Sequence, residues 1–206
     1  MTYINNDLIF IHIPKSAGTS IKKILNTNKS EKFNNIIPHS HQTSCQIFNC
    51  IGEIKYKKRV SFCVFRNPYE RMVSIYRFIF RPNKLIKWYG KDWIKAGVKL
   101  TTFEGFLKNF DQFDYPLVGG WQGNNHKSPQ MNWARKADLI FDIHEQSKLE
   151  DFVRSFFNLK ISHFHFNSRK VPSNKNKMYR EFYNFESKKL IKKWFEEDID
   201  YFKYNF

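Results

Sequence analysis

Twice within its first 80 residues the chain runs from an apolar strand pattern, through a short loop, straight into a helical pattern. The first run is IFIHIPKSAGTSIKKIL. A strand over 8–13 gives way to Lys15, two small residues, Gly18 and two hydroxyls before a helix over about 19–27. The second is FCVFRNPYERMVSIYRF, with a strand over 59–65 and a helix from Pro68 to about Phe80. Strand, loop and helix repeated at this spacing predict a parallel α/β sheet. A third strand over 138–143 and a helix over 147–157 continue the pattern, and a short helix over 43–51 ends at Gly52. In the middle, helices are expected over 83–96 and 102–110, with a long loop around Gly119, Gly120 and Gly123. Near the C-terminus, Leu190, Ile191, Trp194, Phe195, Ile199 and Phe202 fall on one face of a helix starting near Glu186. The prediction is one α/β domain over residues 1–206, with a central, mostly parallel β-sheet flanked by helices.

Composition narrows the partner. A chain of 206 residues suits a single core. With 41% apolar residues and 22 phenylalanines it is not a disordered chain. A formal net charge of +16 points to an acidic partner: nucleic acid, anionic membrane, nucleotide or acidic glycan. Cys45, Cys50 and Cys63 are too few and too irregular for a disulfide framework or a zinc site, which fits a reducing compartment. The N-terminus shows no charged region ahead of its short apolar run, and no apolar stretch approaches the roughly 18 residues that span a bilayer. The expectation is a soluble, cytoplasmic protein.

The first loop reads as an anion site. A strand stopping at Pro14 and a helix starting near Thr19 leave the amides of Ser16, Ala17, Gly18 and Thr19 without intrahelical partners. The helix dipole attracts an anion to that spot. Gly18 lets backbone approach closely, Thr19 and Ser20 add hydroxyls, and Lys15 supplies a full charge. The loop departs from the nucleotide P-loop, whose lysine follows the second glycine; here Lys15 precedes the only one. No strand-borne acidic residue stands out as a magnesium ligand.

In the second loop, Asn67 suits an N-cap, Pro68 the first helical position and Glu70 the third, a capping-box variant. That places Arg66 at the carboxyl edge of the sheet. Ser74 lies two turns into the helix, on the face shared with Arg71 and Arg81, opposite Met72, Val73, Tyr76, Ile79 and Phe80. An arginine fork and a serine hydroxyl form a clamp for a second phosphate. Two phosphate sites at neighbouring strand ends fit one ligand with two separated phosphates.

At these residues the chain resembles the sulfotransferases, in particular the family-2 carbohydrate group. IPKSAGTS resembles that family's 5′-phosphosulfate loop, and RNPYERMVSIY its 3′-phosphate motif, with Arg66 and Ser74 eight residues apart. A glutamine followed by Asn132 and Trp133, then DLIFDIHEQSKLEDF, HFHFNSRK and the closing EEDIDYFKYNF look like later parts of the family's pattern. The resemblance departs at Glu145–Lys148 and in the middle of the chain, so it carries no acceptor site. It implies a P-loop-like fold shared with nucleotide triphosphate hydrolases. It also implies the donor 3′-phosphoadenosine 5′-phosphosulfate, used without a metal. On this resemblance Lys15 meets the bridging oxygen, and Ser16, Ala17, Gly18, Thr19 and Ser20 line the 5′-phosphate. Arg66 and Ser74 hold the 3′-phosphate, and Ser168 and Arg169 close over the nucleotide.

A base must take the acceptor's proton, and histidine titrates in the working range. The polar loop His39–Ser40–His41 sits where the family carries its catalytic histidine. His41, followed by Gln42 and Thr43, fits better, with His39 the alternative; His12, inside the first strand, reads as structural. Arg77, Arg81, Lys84, Lys87, Lys91, Lys95 and Lys99 recur every three or four residues among Trp88, Tyr89 and Trp93. This stripe reads either as a solvated face or as a groove for a polyanionic glycan acceptor. It keeps open a nucleic-acid-binding module without catalysis, although no nucleic-acid-binding signature is present and none is expected to bind. A P-loop kinase-like phosphotransferase is the third reading, opposed by the order of lysine and glycine.

Overall fold

The computed structural model describes residues 3–4, 7–27, 41–79, 102–109, 126, 128–157 and 178–206. The expected helix over 83–96 and the glycine-rich loop near Gly120 lie outside them. The chain divides into two compact units, Met1–Arg66 with Gln130–Val171 and Asn67–Pro129 with Pro172–Phe206.

The first unit holds a four-stranded sheet in the order β1 (Tyr3–Ile4), β2 (Leu8–Ile11), β3 (Val60–Phe65), β4 (Leu139–Asp142). β1 runs antiparallel to β2; β2, β3 and β4 are mutually parallel. Every residue of β2 is buried, as expected for a strand covered on both faces. One face is a core of Leu8, Phe10, Phe62 and Val64 against Ile21 and Leu25 of α1 (Gly18–Thr27) and Leu149 and Val153 of the helix Gln146–Phe157. Asp138 fixes the register of β3 with β4. Its Oδ2 accepts from the Ser61 amide at 2.7 Å and the Ser61 hydroxyl at 2.6 Å, while its own amide donates to Ser61 O at 3.0 Å. A slip of one residue would turn the core side chains of β4 to the wrong face. The thiol of Cys63, in the middle of β3, is fully buried, which pushes its pKa far up.

Between β2 and β3 come α2 (Ser44–Ile51) and α3 (Glu53–Lys57). Gly52 ends α2 as expected, its amide donating to Phe48 O, and it also starts α3. Its φ of 83° is a conformation that side-chain-bearing residues rarely adopt. α4 (Pro68–Ile79) follows β3 and belongs to the second unit, where α5 (Phe103–Asn109) also lies. Before β4, the first unit has the single turn α6 (Met131–Ala134) and, after it, α7 (Gln146–Phe157).

The second unit packs α4 and α5 with α8 (Phe185–Trp194) and α9 (Glu196–Phe202) around Tyr69, Met72, Val73, Ile75, Phe106, Ile191, Phe195 and Ile199. The single C-terminal helix expected from Glu186 is two helices, broken at Phe195 with φ −126° and ψ 32°. The charges suit the two separate helix ends. Lys192 and Lys193 occupy the last turn of one helix, and Glu196, Glu197 and Asp198 the first turn of the next. Each set complements its helix dipole. Arg71 also departs from expectation: it is not on an open face with Ser74 but 1% exposed. Its Nη1 donates to Ser128 O at 3.1 Å, and its guanidinium lies 5.7 Å from the Phe195 ring centre. Burial lowers its pKa to about 10, opposed by the nearby charge of Asp198.

Candidate active site

The loop joining β2 to α1 is held in a conformation suited to anions. Lys15 has φ 69° and Ala17 φ 57°, while Ser16 and Gly18 have negative φ, so handedness alternates along the turn. Successive residues of alternating hand point their amides into a shared concavity. The Ser20 and Ile21 amides close back on Ala17 O at 2.9 and 3.2 Å, and the Ser16 amide turns to Ile13 O at 3.3 Å. Of the four amides expected to be available, Ser16's is therefore bonded within the turn. Those of Ala17, Gly18 and Thr19 make no hydrogen bond among the described residues. They open α1, a helix of 10 residues whose dipole adds partial positive charge. Lys15 is half-buried, Ser20 buried and Thr19 exposed.

Gly18 is also needed for a neighbour. A Cβ at this position would stand 1.8 Å from the His12 imidazole, so the ring occupies the place of a side chain. The same ring lies 4.3 Å, centre to centre, from that of His41. His12 was expected to be structural, and it supports His41 directly: its carbonyl oxygen is 3.0 Å from His41 Nδ1. A carbonyl can only accept, so neutral His41 carries its proton on Nδ1 and its lone pair on Nε2. His41 is fixed from two further sides. Its carbonyl accepts from Trp133 Nε1–H at 3.0 Å. Two residues on, Thr43 and Gln46 form a reciprocal capping box, with bonds of 3.1 and 2.9 Å, at the start of α2.

Substituting Gly18 by Ala must displace the His12 ring. The expected result is a stability loss of about 1–3 kcal/mol, as for overpacking. The double variant His12→Ala/Gly18→Ala should lose clearly less than the sum of the singles, because removing the ring makes room for the methyl. Chemical denaturation of the four proteins measures this; strict additivity would show that the ring and the glycine are not in contact.

Arg66 follows the last residue of β3, at the same carboxyl edge as the Lys15 turn, because β2 and β3 are parallel. It is half-buried. Its backbone is held by Gln130, a fully buried residue that the resemblance includes ahead of Asn132 and Trp133 without giving it a role. The Gln130 Oε1 accepts from the Arg66 amide at 3.0 Å and from the Ser16 hydroxyl at 3.0 Å; its Nε2 donates to Arg66 O at 2.8 Å. Asn67 caps α4 as expected, its Oδ1 accepting from the Tyr69 amide at 3.0 Å. Ser74 is half-buried on α4 in the second unit. His39, Ser168 and Arg169 lie outside the described residues, as do Arg81, Lys84, Lys87, Lys91, Lys95 and Lys99 of the basic stripe. The remaining member, Arg77, stacks 4.9 Å from the Phe182 ring centre. Among the described residues no group of three or more His, Cys, Asp or Glu is placed to hold a metal ion, and no helix is long and apolar enough to cross a membrane.

A parallel sheet whose carboxyl edge carries an amide-lined turn, opening a helix, is the layout of α/β proteins that bind phosphorylated ligands. The chain matches the family model described as the sulfotransferase family over residues 4–205. It belongs to that family, as a sulfotransferase of the family-2 type, and is an enzyme of sulfuryl transfer. Comparison with curated proteins and with solved structures finds no significant match.

Proposed function

We propose that the protein transfers the sulfuryl group of 3′-phosphoadenosine 5′-phosphosulfate to a hydroxyl of a carbohydrate acceptor, with residues 1–206 acting as one catalytic domain. The observation that carries this reading is the turn Pro14–Gly18. Its φ angles alternate in sign, it leads into three consecutive amides that make no hydrogen bond among the described residues, and it contains a lysine. Those residues fit the phosphosulfate end of the donor. The amides of Ala17, Gly18 and Thr19 and the hydroxyls of Thr19 and Ser20 would hold the 5′-phosphate, and Lys15 the bridging oxygen. The donor, when bound, supplies an activated sulfuryl group on that oxygen. Lys15 and the amides stabilise charge developing there without reorganisation. His41 Nε2 takes the acceptor's proton; the imidazolium formed strengthens its Nδ1–H bond to His12 O, now charge-assisted. His39 is the alternative base. Arg66 and Ser74 are assigned to the 3′-phosphate, and Ser168 and Arg169 to the nucleotide, on the resemblance. The family's carbohydrate-type acceptor and the net charge of +16 support an acidic glycan. No metal takes part in this scheme.

Nucleotide binding tests it. Adenosine 3′,5′-bisphosphate should bind and raise the melting temperature, and adenosine 5′-monophosphate should bind more weakly. Arg66→Ala should remove about 10- to 100-fold of that preference, the effect of a hydrogen bond to a charged group. Equal affinity of wild type for the two nucleotides in calorimetry would remove Arg66 and Ser74 from the 3′-phosphate and overturn the donor reading.

A further inference from the structure

We propose that Gln130 is a positioning residue that holds the two phosphate-binding loops in a fixed relation, so that a nucleotide with phosphates at both ends is recognised as one ligand. The proposal rests on the donor reading above. Ser16 lies in the turn after β2 and Arg66 directly after β3. Neither loop bonds the other through its backbone in any contact described above; the Gln130 amide bonds both. Its two ends are distinguishable by chemistry. The Arg66 amide needs an acceptor and the Arg66 carbonyl a donor, so Oε1 faces the former and Nε2 the latter. The same Oε1 then takes the Ser16 hydroxyl on its second lone pair.

The side chain therefore does for Arg66 what a neighbouring strand would do, pairing its N–H and C=O together, while also bonding the Lys15 turn. Full burial removes water as a competing partner. No other residue type substitutes simply. Glutamate would set an acceptor against Arg66 O, and methionine has the length but no hydrogen bonds. Three positions further on, Trp133 bonds His41 O, so one short segment touches the turn of Lys15, the strand end at Arg66 and the loop of His41.

The test is the ratio of affinities for adenosine 3′,5′-bisphosphate and adenosine 5′-monophosphate, measured by calorimetry on the full chain. Gln130→Met should lower that ratio about tenfold or more, because the 5′ loop still binds its phosphate while the 3′ group is no longer held at the matching distance. A purely structural role would instead lower the folded fraction and weaken both nucleotides equally, leaving the ratio unchanged. If Gln130→Met does not fold, Ser16→Ala decides: it removes one arm of the bridge and should lower the ratio about threefold. A wild-type preference kept in full by whichever of these variants folds would overturn the proposal. A wild type that does not prefer the bisphosphate would instead overturn the donor reading, and this proposal with it.

Discussion

His41→Ala should lower turnover by about 10²–10⁴-fold and leave donor affinity near wild type. The loss belongs to the transition state, because a general base moves a proton there and does not hold the nucleotide. The way His41 is held supports this proposed role. The His12 carbonyl fixes the proton on Nδ1 at 3.0 Å, leaving the lone pair on Nε2, and Trp133 and the Thr43–Gln46 capping box hold the loop. The rate should rise with pH through the imidazole pKa, ordinarily ~6.5, since only the neutral ring accepts a proton. His41→Ala should lack that rising limb. His39→Ala should be milder. A dead His39→Ala beside an active His41→Ala with the limb intact would transfer the role.

Lys15→Ala should lower turnover by roughly 10²–10³-fold, the effect of removing one preorganised charge-stabilising donor. The backbone offers a control. Lys15 sits at φ 69°, a left-handed conformation that costs a residue with a Cβ about 1–2 kcal/mol and glycine almost nothing. Lys15→Gly should therefore be as inactive as Lys15→Ala and yet at least as stable as wild type. Lost activity with raised melting temperature would mark the lysine as kept for chemistry and not for folding. Activity should also survive excess chelator; abolition by chelator with rescue by magnesium would favour the kinase-like reading.

The parallel core of the first unit was legible in the chain because parallel strands are buried on both faces and read as continuous apolar runs, as Leu8–Ile11 and Val60–Phe65 do. One helix start was legible from its cap: Asn67 bonds the first turn of α4 as its residue type suggests, whereas Thr43, expected inside the helix over 43–51, is the N-cap of α2. The first strand was expected to reach residue 13 but ends at Ile11, since the next two carbonyls are taken by His41 Nδ1 and the Ser16 amide. The two-residue strand β1 and the single turn α6 are too short to show a period. The break at Phe195 was not legible, because apolar spacing continues through KKWFEED and its i,i+4 Lys–Glu pairs suit one helix as well as two. Arg71 could not be placed inside from its helix alone, because Ser128, Phe195 and Asp198, which make its burial tolerable, come from distant segments. The site divides the same way. Lys15, Gly18 and Arg66 stand at strand ends, where local pattern points. Gln130 meets Ser16 across 114 residues and Arg66 across 64, and no local pattern reports a meeting at that range.

The most direct test of sulfuryl transfer by this site is incubation with sulfur-labelled 3′-phosphoadenosine 5′-phosphosulfate and a panel of neutral and acidic glycans, followed by identification of the labelled product. Label should appear on a glycan hydroxyl with release of adenosine 3′,5′-bisphosphate, and both should vanish together in Lys15→Ala and His41→Ala. Label transferred at the wild-type rate by both variants would contradict the site. No label on any glycan, in a protein that does not bind the bisphosphate, would contradict the proposed donor and acceptor.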